Sequence, residues 1–251
     1  MPGPLTVIMK KKDIVPDGVT GGLPTVAVRC PSHPVAEALI RKTGAAVAAP
    51  SANLSGSPSP TQGEHVIGDL FGRIDAIIDG GECDIGLEST LVMIEGEGLT
   101  LLRPGAVTAD ALSCVCDSVR VADAVTEALA ENERPLSPGM KYRHYAPKAP
   151  LVLLDGDDGE VLSYMYGRQN AEKCVIICYS EEVGYLRNER LIDIGSRDDL
   201  DAQAKNLFAA LRRADETDGD TVYAHLPPKE GMGLALYNRL IRAAAHTVLK
   251  V

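Results

Sequence analysis

The chain lacks several features that would place it in a broad functional class at once. No apolar run approaches the 18 residues that a membrane-spanning helix requires, and the first residues show no signal-peptide pattern. No Walker-type loop is present, and no G-x-G-x-x-G motif follows the first strand of the C-terminal part. These absences argue against a membrane-spanning or secreted protein and against the common phosphate-binding loops.

Metal-binding patterns and positive charge are also scarce. The six cysteines match no common zinc spacing, and Cys174 and Cys178 lie in an apolar run where cysteine behaves as a small hydrophobe. The 25 Lys and Arg are outnumbered by 35 Asp and Glu, which gives a net charge of −10. A broad basic face for nucleic acid is therefore not expected. We expect a reduced, cytoplasmic protein with no structural metal and with neither nucleic acid nor membrane as a direct partner.

The 251 residues are enough for two ordinary domains. In residues 1–133, short strands interleave with helices and predict an α/β layered domain, with strands that include 45–49 and 74–78. Pro34 suits a first helical position and Gly44 a stop, which predicts a helix running to about Lys42. Residues 151–251 alternate more cleanly, which predicts a small parallel α/β sheet with a buried strand at 174–179. Apolar residues at helical spacing predict a helix over 200–211 and a last helix whose repeat reaches residue 248. Residues 134–150 are predicted to connect the two domains.

The connector contains an unusual sequence, SPGMKYRHYAP, at residues 137–147. Residues 134–149 carry four Lys or Arg and no acidic residue, so they form a basic island in an acidic protein. Flexible linkers are usually rich in Gly and Ser and chemically plain. The segment therefore indicates contact with an anion, although a plain joining role stays open.

Polar side chains also stand at the ends of predicted strands. Ser51 and Asn53 follow a run of alanines, in the position where open α/β sheets bind ligands, although an ordinary Asx turn fits the same residues. Arg29 and Arg103 each end an apolar strand and suit a carboxylate or phosphate, with a surface ion pair as the alternative. Such residues indicate catalysis by positioning and charge neutralisation rather than through a covalent intermediate.

Taken in order, the motifs are more specific than any one of them. They are PGPLT (2–6), VAVR (26–29), APSANLSG (49–56), SPT (59–61), GLEST (86–90), LRPG (102–105), SPGMKYRHYAP (137–147) and LPPKEGMGLALYNRLIRAA (226–244). With these motifs in this order, the chain resembles the threonylcarbamoyl-AMP synthases, in their long form with a YrdC-like domain followed by a C-terminal domain. The resemblance covers essentially the whole chain.

The resemblance implies both a fold and a reaction. The fold is a twisted mixed sheet with helices, followed by a small Rossmann-like parallel α/β domain. The reaction is a nucleotidyl transfer in which L-threonine, bicarbonate and ATP give threonylcarbamoyl-AMP and pyrophosphate, with Mg²⁺ accompanying ATP. A tRNA threonylcarbamoyl transferase would then use the product to modify an adenosine in tRNA.

The resemblance also implies roles for individual residues, although it assigns no catalytic residue and no metal ligand. The L-threonine pocket would contain Arg29, Ala49 and Ser89. The ATP site would contain Thr25, Ser51, Asn53, Ser59, Arg103 and Tyr145. A strap over the site would be held by Lys141, Arg143 and His144.

One departure from the family pattern concerns the start of the sequence. The family's domain begins well before PGPLT, and that earlier part carries a Lys-x-Arg motif for ATP phosphates that has no counterpart here. We therefore expect an N-terminally incomplete member that is inactive or nearly inactive alone. The alternative is a non-catalytic nucleotide-binding or interaction module. RNA binding is a third reading, and the net charge argues against it.

Overall fold

The structure is a computed structural model that describes residues 1–127, 145–169, 173–187 and 189–251. Its strands are β1 (Leu5–Lys10), β2 (Thr25–Arg29), β3 (Thr90–Glu95), β4 (Gly98–Arg103), β5 (Val119–Val121), β6 (Leu151–Asp155), β7 (Cys174–Cys178), β8 (Leu191–Asp193), β9 (Thr221–His225) and β10 (Val248–Lys250). Its helices are α1 (Asp17–Thr20), α2 (Pro34–Thr43), α3 (Gly63–Leu70), α4 (Ala109–Ser113), α5 (Asp158–Arg168), α6 (Leu200–Asp215) and α7 (Gly231–Ala243).

The chain divides into two compact units that do not follow chain order. One consists of Met1–Pro50 with Glu88–Ser137, and the other of Ser51–Leu87 with Pro138–Val251. Residues 51–87 therefore group with the C-terminal part in space. The domain ranges expected from the sequence, 1–133, 134–150 and 151–251, stay a prediction.

The first unit contains a mixed five-stranded sheet in the order β2-β1-β3-β4-β5. The pairs β2/β1 and β3/β4 are antiparallel, whereas β1/β3 and β4/β5 are parallel. Alternate residues of β3 and β4 project to opposite faces, so Leu91 and Leu102 pack on one face while Val92 and Leu101 pack on the other. The sheet fixes where β2, β3 and β4 end, and those ends carry the candidate residues.

The second unit contains a fully parallel sheet in the order β10-β6-β9-β7-β8. Helices α6 and α7 pack on one face through Leu207 and Leu236, among others, and α5 packs on the opposite face through Met165. The strand CVIIC (β7) is buried along its whole length, as expected for a parallel strand covered on both faces. Burial raises the pKa of the Cys178 thiol to about 12, so this cysteine is an inert core residue.

Two predicted strands are absent from the described structure. Residues 45–49 are exposed throughout and pair with no strand. Residues 74–78 likewise join no sheet, with Ile74 44% and Ile78 65% exposed. An apolar run becomes a strand only where a neighbouring strand supplies hydrogen bonds, and the alanines of 45–49 offer little apolar area to bury.

Helix α7 is shorter than its apolar repeat predicted. It ends at Ala243, and Ala245 and His246 then adopt positive φ angles of 47° and 62°. This left-handed turn redirects the chain into β10, which pairs with β6. Residue 248, predicted to lie in the helix, therefore begins a strand. Within the described ranges, no helix is both long and apolar enough to cross a membrane.

Candidate functional site

Three of the sequence motifs meet at the start of β3 in the first unit. The Thr90 amide donates to the Pro4 carbonyl at 2.9 Å, which joins GLEST to PGPLT. The buried Thr90 hydroxyl donates to the Val107 carbonyl at 2.8 Å and accepts from the Val107 amide at 3.0 Å, which fixes the turn after LRPG. Three motifs that are separate in the chain therefore meet at one junction in the structure.

Gly105 of LRPG packs directly against this junction. A Cβ at this position would lie 2.7 Å from the Thr90 amide nitrogen and 2.8 Å from the Glu88 carbonyl oxygen. Both atoms belong to the backbone and cannot rotate away. The close approach of the two motifs thus requires glycine at position 105.

Ser89 and Arg103 are in direct contact at the same junction. The Arg103 guanidinium donates to the Ser89 carbonyl from Nε at 3.2 Å and from Nη2 at 3.0 Å, and Nη2 reaches the Ser89 hydroxyl at 3.3 Å. The Ser89 side chain is buried, and its Oγ lies 2.6 Å from the Thr6 hydroxyl of β1. The structure therefore brings together one residue expected at threonine and one expected at ATP.

Arg29 lies on the strand next to this pair. It is directly opposite Thr6 in the antiparallel pairing of β2 with β1, so the two side chains project to the same face. The Arg29 side chain is exposed at the edge of the sheet. Thr25 lies at the other end of β2, about 13 Å away along the strand. Arg29 is thus in register with the Ser89 junction, whereas Thr25 is not.

Ala49 follows α2 in an exposed segment without strand structure. The sequence placed it at the end of a buried strand, and that placement is wrong because the strand does not form. A part in the threonine pocket stays a prediction for this residue.

Residues 51–62, which we call the PSAN loop, belong to the second unit, and Asn53 organises the turn near their start. The Asn53 amide nitrogen donates to the Leu54 carbonyl at 2.8 Å and to the Ser57 carbonyl at 3.1 Å, so the side chain closes a tight turn. Its amide oxygen is buried and has no hydrogen-bond partner among the described residues. Ser51 is exposed before this turn and Ser59 is buried after it.

An ion pair that the sequence reading missed lies beside this loop. Arg212 of α6 binds Asp69 of α3 through two contacts, Nη2 to Oδ2 at 2.7 Å and Nη1 to Oδ1 at 3.2 Å. The hydrogen bonds from Arg212 lower the pKa of Asp69 below its ordinary value, and burial lowers the pKa of the neighbouring His65. Local sequence patterns carried no signal for this pair, because its members are 143 positions apart.

Tyr145, the last tyrosine of the basic connector, lies in the core of the second unit. It is 4% exposed, has a φ angle of 64°, and its ring centroid is 5.1 Å from that of Phe208 in α6. The predicted contact with ATP stays a prediction. Lys141, Arg143 and His144 lie outside the described residues.

A protein-bound metal centre is not evident in the part of the chain that the structure describes. Within it, no group of three or more His, Cys, Asp or Glu residues is arranged to hold an ion. The guanidinium groups of Arg29 and Arg103 suit anions instead.

The fold and these contacts define a two-part α/β protein with arginines at strand ends. Two family models match consecutive stretches of the chain. The Sua5, YciO and YrdC family, described as telomere recombination, matches residues 1–105. The C-terminal domain of threonylcarbamoyl-AMP synthase matches residues 107–245.

Individual relatives are similar along the whole chain. Threonylcarbamoyl-AMP synthase of Bacillus subtilis is 42% identical over 251 residues, covering 99% of this chain and 72% of the relative. The Pyrococcus abyssi enzyme is 40% identical over 258 residues, covering all of this chain and 73% of the relative. The crystal structure of P. abyssi Sua5 with L-threonine matches with a TM-score of 0.89 and 38% identity, again over all of this chain and 73% of that one. The chain belongs to the threonylcarbamoyl-AMP synthase family, which confirms the predicted family and α/β fold class.

Proposed function

We propose that this protein synthesises threonylcarbamoyl-AMP from L-threonine, bicarbonate and ATP. The observation that carries the proposal is the similarity over the whole chain to P. abyssi Sua5, which was solved with L-threonine. The joined GLEST, LRPG and PGPLT motifs support it, because they place an arginine and a hydroxyl at adjacent strand ends.

Arg29 and Ser89 are proposed to bind the amino acid. A guanidinium can hold the threonine carboxylate with two parallel hydrogen bonds, and Arg29 is exposed and in register with Ser89 through Thr6. The Ser89 hydroxyl is a donor and acceptor for the polar end of the substrate. Ala49 would add a small side chain that leaves room for the ligand.

The chemistry follows from bringing two substrates together. The threonine amine takes up CO₂ from bicarbonate as a carbamate, whose oxygen attacks the α-phosphate of ATP while the bond to pyrophosphate breaks. Arg103 would offset negative charge on the phosphates, with its guanidinium already fixed by the Ser89 carbonyl. Mg²⁺ would enter as part of the MgATP substrate.

The PSAN loop is proposed to bind the nucleotide. Its hydroxyl and amide groups, on Ser51, Asn53 and Ser59, suit ribose, base and phosphate oxygens. Thr25 and Tyr145 are also proposed to belong to this site.

We also propose a cellular role that follows from this reaction. The product would pass in the cytoplasm to a tRNA threonylcarbamoyl transferase. The enzyme itself would not need to hold the tRNA, in keeping with its net charge of −10.

Binding of L-threonine tests the proposed site directly. We expect calorimetric titration of the purified chain, in the presence of ATP, to show threonine binding that Arg29→Ala weakens by about 10- to 100-fold. The reason is the loss of a charge-assisted bidentate contact with the carboxylate.

The matched control is Arg41→Ala, which removes an exposed arginine from α2 of the same unit. It should bind threonine as the unchanged chain does. Equal losses in both variants would point to a general charge effect, and unchanged binding in Arg29→Ala would remove Arg29 from the site. Failure of the unchanged chain to bind either ligand would favour an interaction module.

A further inference from the structure

The Arg212–Asp69 ion pair lies beside the PSAN loop and contacts the loop backbone. Both side chains are only 13% exposed, and the two parallel contacts give the pair a fixed geometry. The pair connects α6 and α3 within the second compact unit. Each member also has a further hydrogen bond to the backbone of the PSAN loop.

These further bonds lie at the two ends of one short loop. Asp69 Oδ2 accepts from the Leu54 amide at 3.3 Å, one residue after Asn53. Arg212 Nη2 donates to the Pro58 carbonyl at 2.6 Å, one residue before Ser59. One ion pair thus holds the backbone beside Asn53 and Ser59, two of the three loop residues that are proposed to contact the nucleotide.

Residues 51–62 contain no helix or strand, and their sequence is rich in Ser, Pro and Gly. The internal bonds from the Asn53 side chain close only the turn at 53–57. The Thr61 amide donates to His65 Nδ1 at 3.1 Å and the Thr61 carbonyl accepts from the Cys83 amide at 2.9 Å, which holds the end of the loop. Between the turn and that end, Asp69 and Arg212 contact the backbone beside Asn53 and Ser59.

We propose that Arg212 is a positioning residue for ATP binding. It sets the spacing of Asn53 and Ser59 through the Pro58 carbonyl and Asp69, and it touches neither ATP nor threonine itself. This inference rests on the proposed function of the PSAN loop. It gives the C-terminal domain a part in the reaction, because Arg212 lies in the region matched by the C-terminal family model and the loop lies in the region matched by the first.

A purely structural ion pair would behave differently. It would raise the melting temperature of the protein but leave the ATP affinity of the folded fraction unchanged. A positioning residue instead changes the ATP affinity of protein that is fully folded, and it affects ATP more than threonine.

The test compares Arg212→Ala and Arg212→Lys with Arg213→Ala, which removes the exposed neighbouring arginine on the same helix. Circular dichroism first fixes a temperature at which every variant is folded. Calorimetry then measures the dissociation constants of ATP and L-threonine. We expect Arg212→Ala to weaken ATP binding about 10-fold and threonine binding less than 2-fold.

Lysine should not restore ATP binding, since an ammonium group cannot hold both the Asp69 carboxylate and the Pro58 carbonyl in the geometry of a guanidinium. Hydrogen exchange supplies a readout that needs no ligand: the Leu54 amide should exchange faster in Arg212→Ala than in Arg213→Ala. Unchanged ATP affinity in folded Arg212→Ala would overturn the positioning role alone. Absence of ATP binding by the unchanged chain would overturn the proposed function and this role with it.

Discussion

The Ser89–Arg103 junction depends on two residues that would never touch a substrate. Thr90 is fully buried and uses its hydroxyl as both donor and acceptor toward Val107. Gly105 lets the two backbone segments approach within van der Waals contact. The position of Arg103 is thus determined by the Thr90 hydroxyl and by the absence of a side chain at Gly105.

A Gly105→Ala substitution should destabilise the protein by about 1–3 kcal/mol, because its methyl group would press on the Thr90 amide and the Glu88 carbonyl. Urea unfolding followed by circular dichroism measures this loss. Gly159→Ala is the control, since a Cβ there meets nothing within 4 Å and α5 favours alanine. Equal stability of Gly105→Ala and the unchanged chain would show that the junction adjusts and is not tightly packed.

At the scale of elements, the pairing of α3 with α6 should depend on pH. The pKa of Asp69 is lowered in the folded state, chiefly by hydrogen bonds from Arg212. A carboxyl with a lowered folded pKa stabilises the fold above its unfolded value of about 4, and this contribution disappears as the pH falls through the folded pKa.

Urea unfolding at a series of pH values checks this dependence. We expect Asp69→Asn to be about 1–3 kcal/mol less stable than the unchanged chain at pH 7, with the difference shrinking below pH 4. Asp198→Asn controls for the loss of one exposed negative charge. A difference that stays constant from pH 7 to pH 3 would mean that the ionised carboxylate of Asp69 contributes nothing.

The elements that the sequence predicted correctly are those whose local pattern agrees with their surroundings. The run CVIIC is short, apolar and β-branched, and it forms the buried strand β7. Helix α2 begins at Pro34 and ends before Gly44, the positions that these residues favour. The run at 45–49 has a similar apolar pattern, but a strand also needs a paired neighbour, which a local pattern does not contain.

The candidate site was only partly predictable for the same reason. Arg29, Ser89 and Arg103 belong to motifs that could be recognised along the chain, and the sheet places them near one another through Thr6. The contact between Arg212 and the loop could not be predicted from local patterns, because it depends on Asp69, which lies 143 positions away in the sequence. The helical repeat of α6 identified only its apolar residues.

At the scale of the whole molecule, helix α6 connects three of the motif segments within the second unit. Arg212 holds the PSAN loop, and Phe208 packs on Tyr145 of the connector. Gly86 lies against the backbone of Lys205 so closely that any side chain there would clash. The C-terminal part of the chain therefore contacts three of the motif segments within the second unit.

Synthesis of threonylcarbamoyl-AMP is the central claim, and incorporation of labelled bicarbonate tests this reaction most directly. The purified chain is incubated with ATP, Mg²⁺, L-threonine and ¹³C-bicarbonate, and the products are analysed by liquid chromatography and mass spectrometry after long accumulation, so that slow synthesis is detected. We predict a small amount of threonylcarbamoyl-AMP carrying one ¹³C, as expected for a chain that is nearly inactive alone. It should form only when both threonine and ATP are present, and Arg29→Ala but not Arg41→Ala should nearly abolish it. No labelled product, or the same amount from the Arg29 variant, would contradict the account.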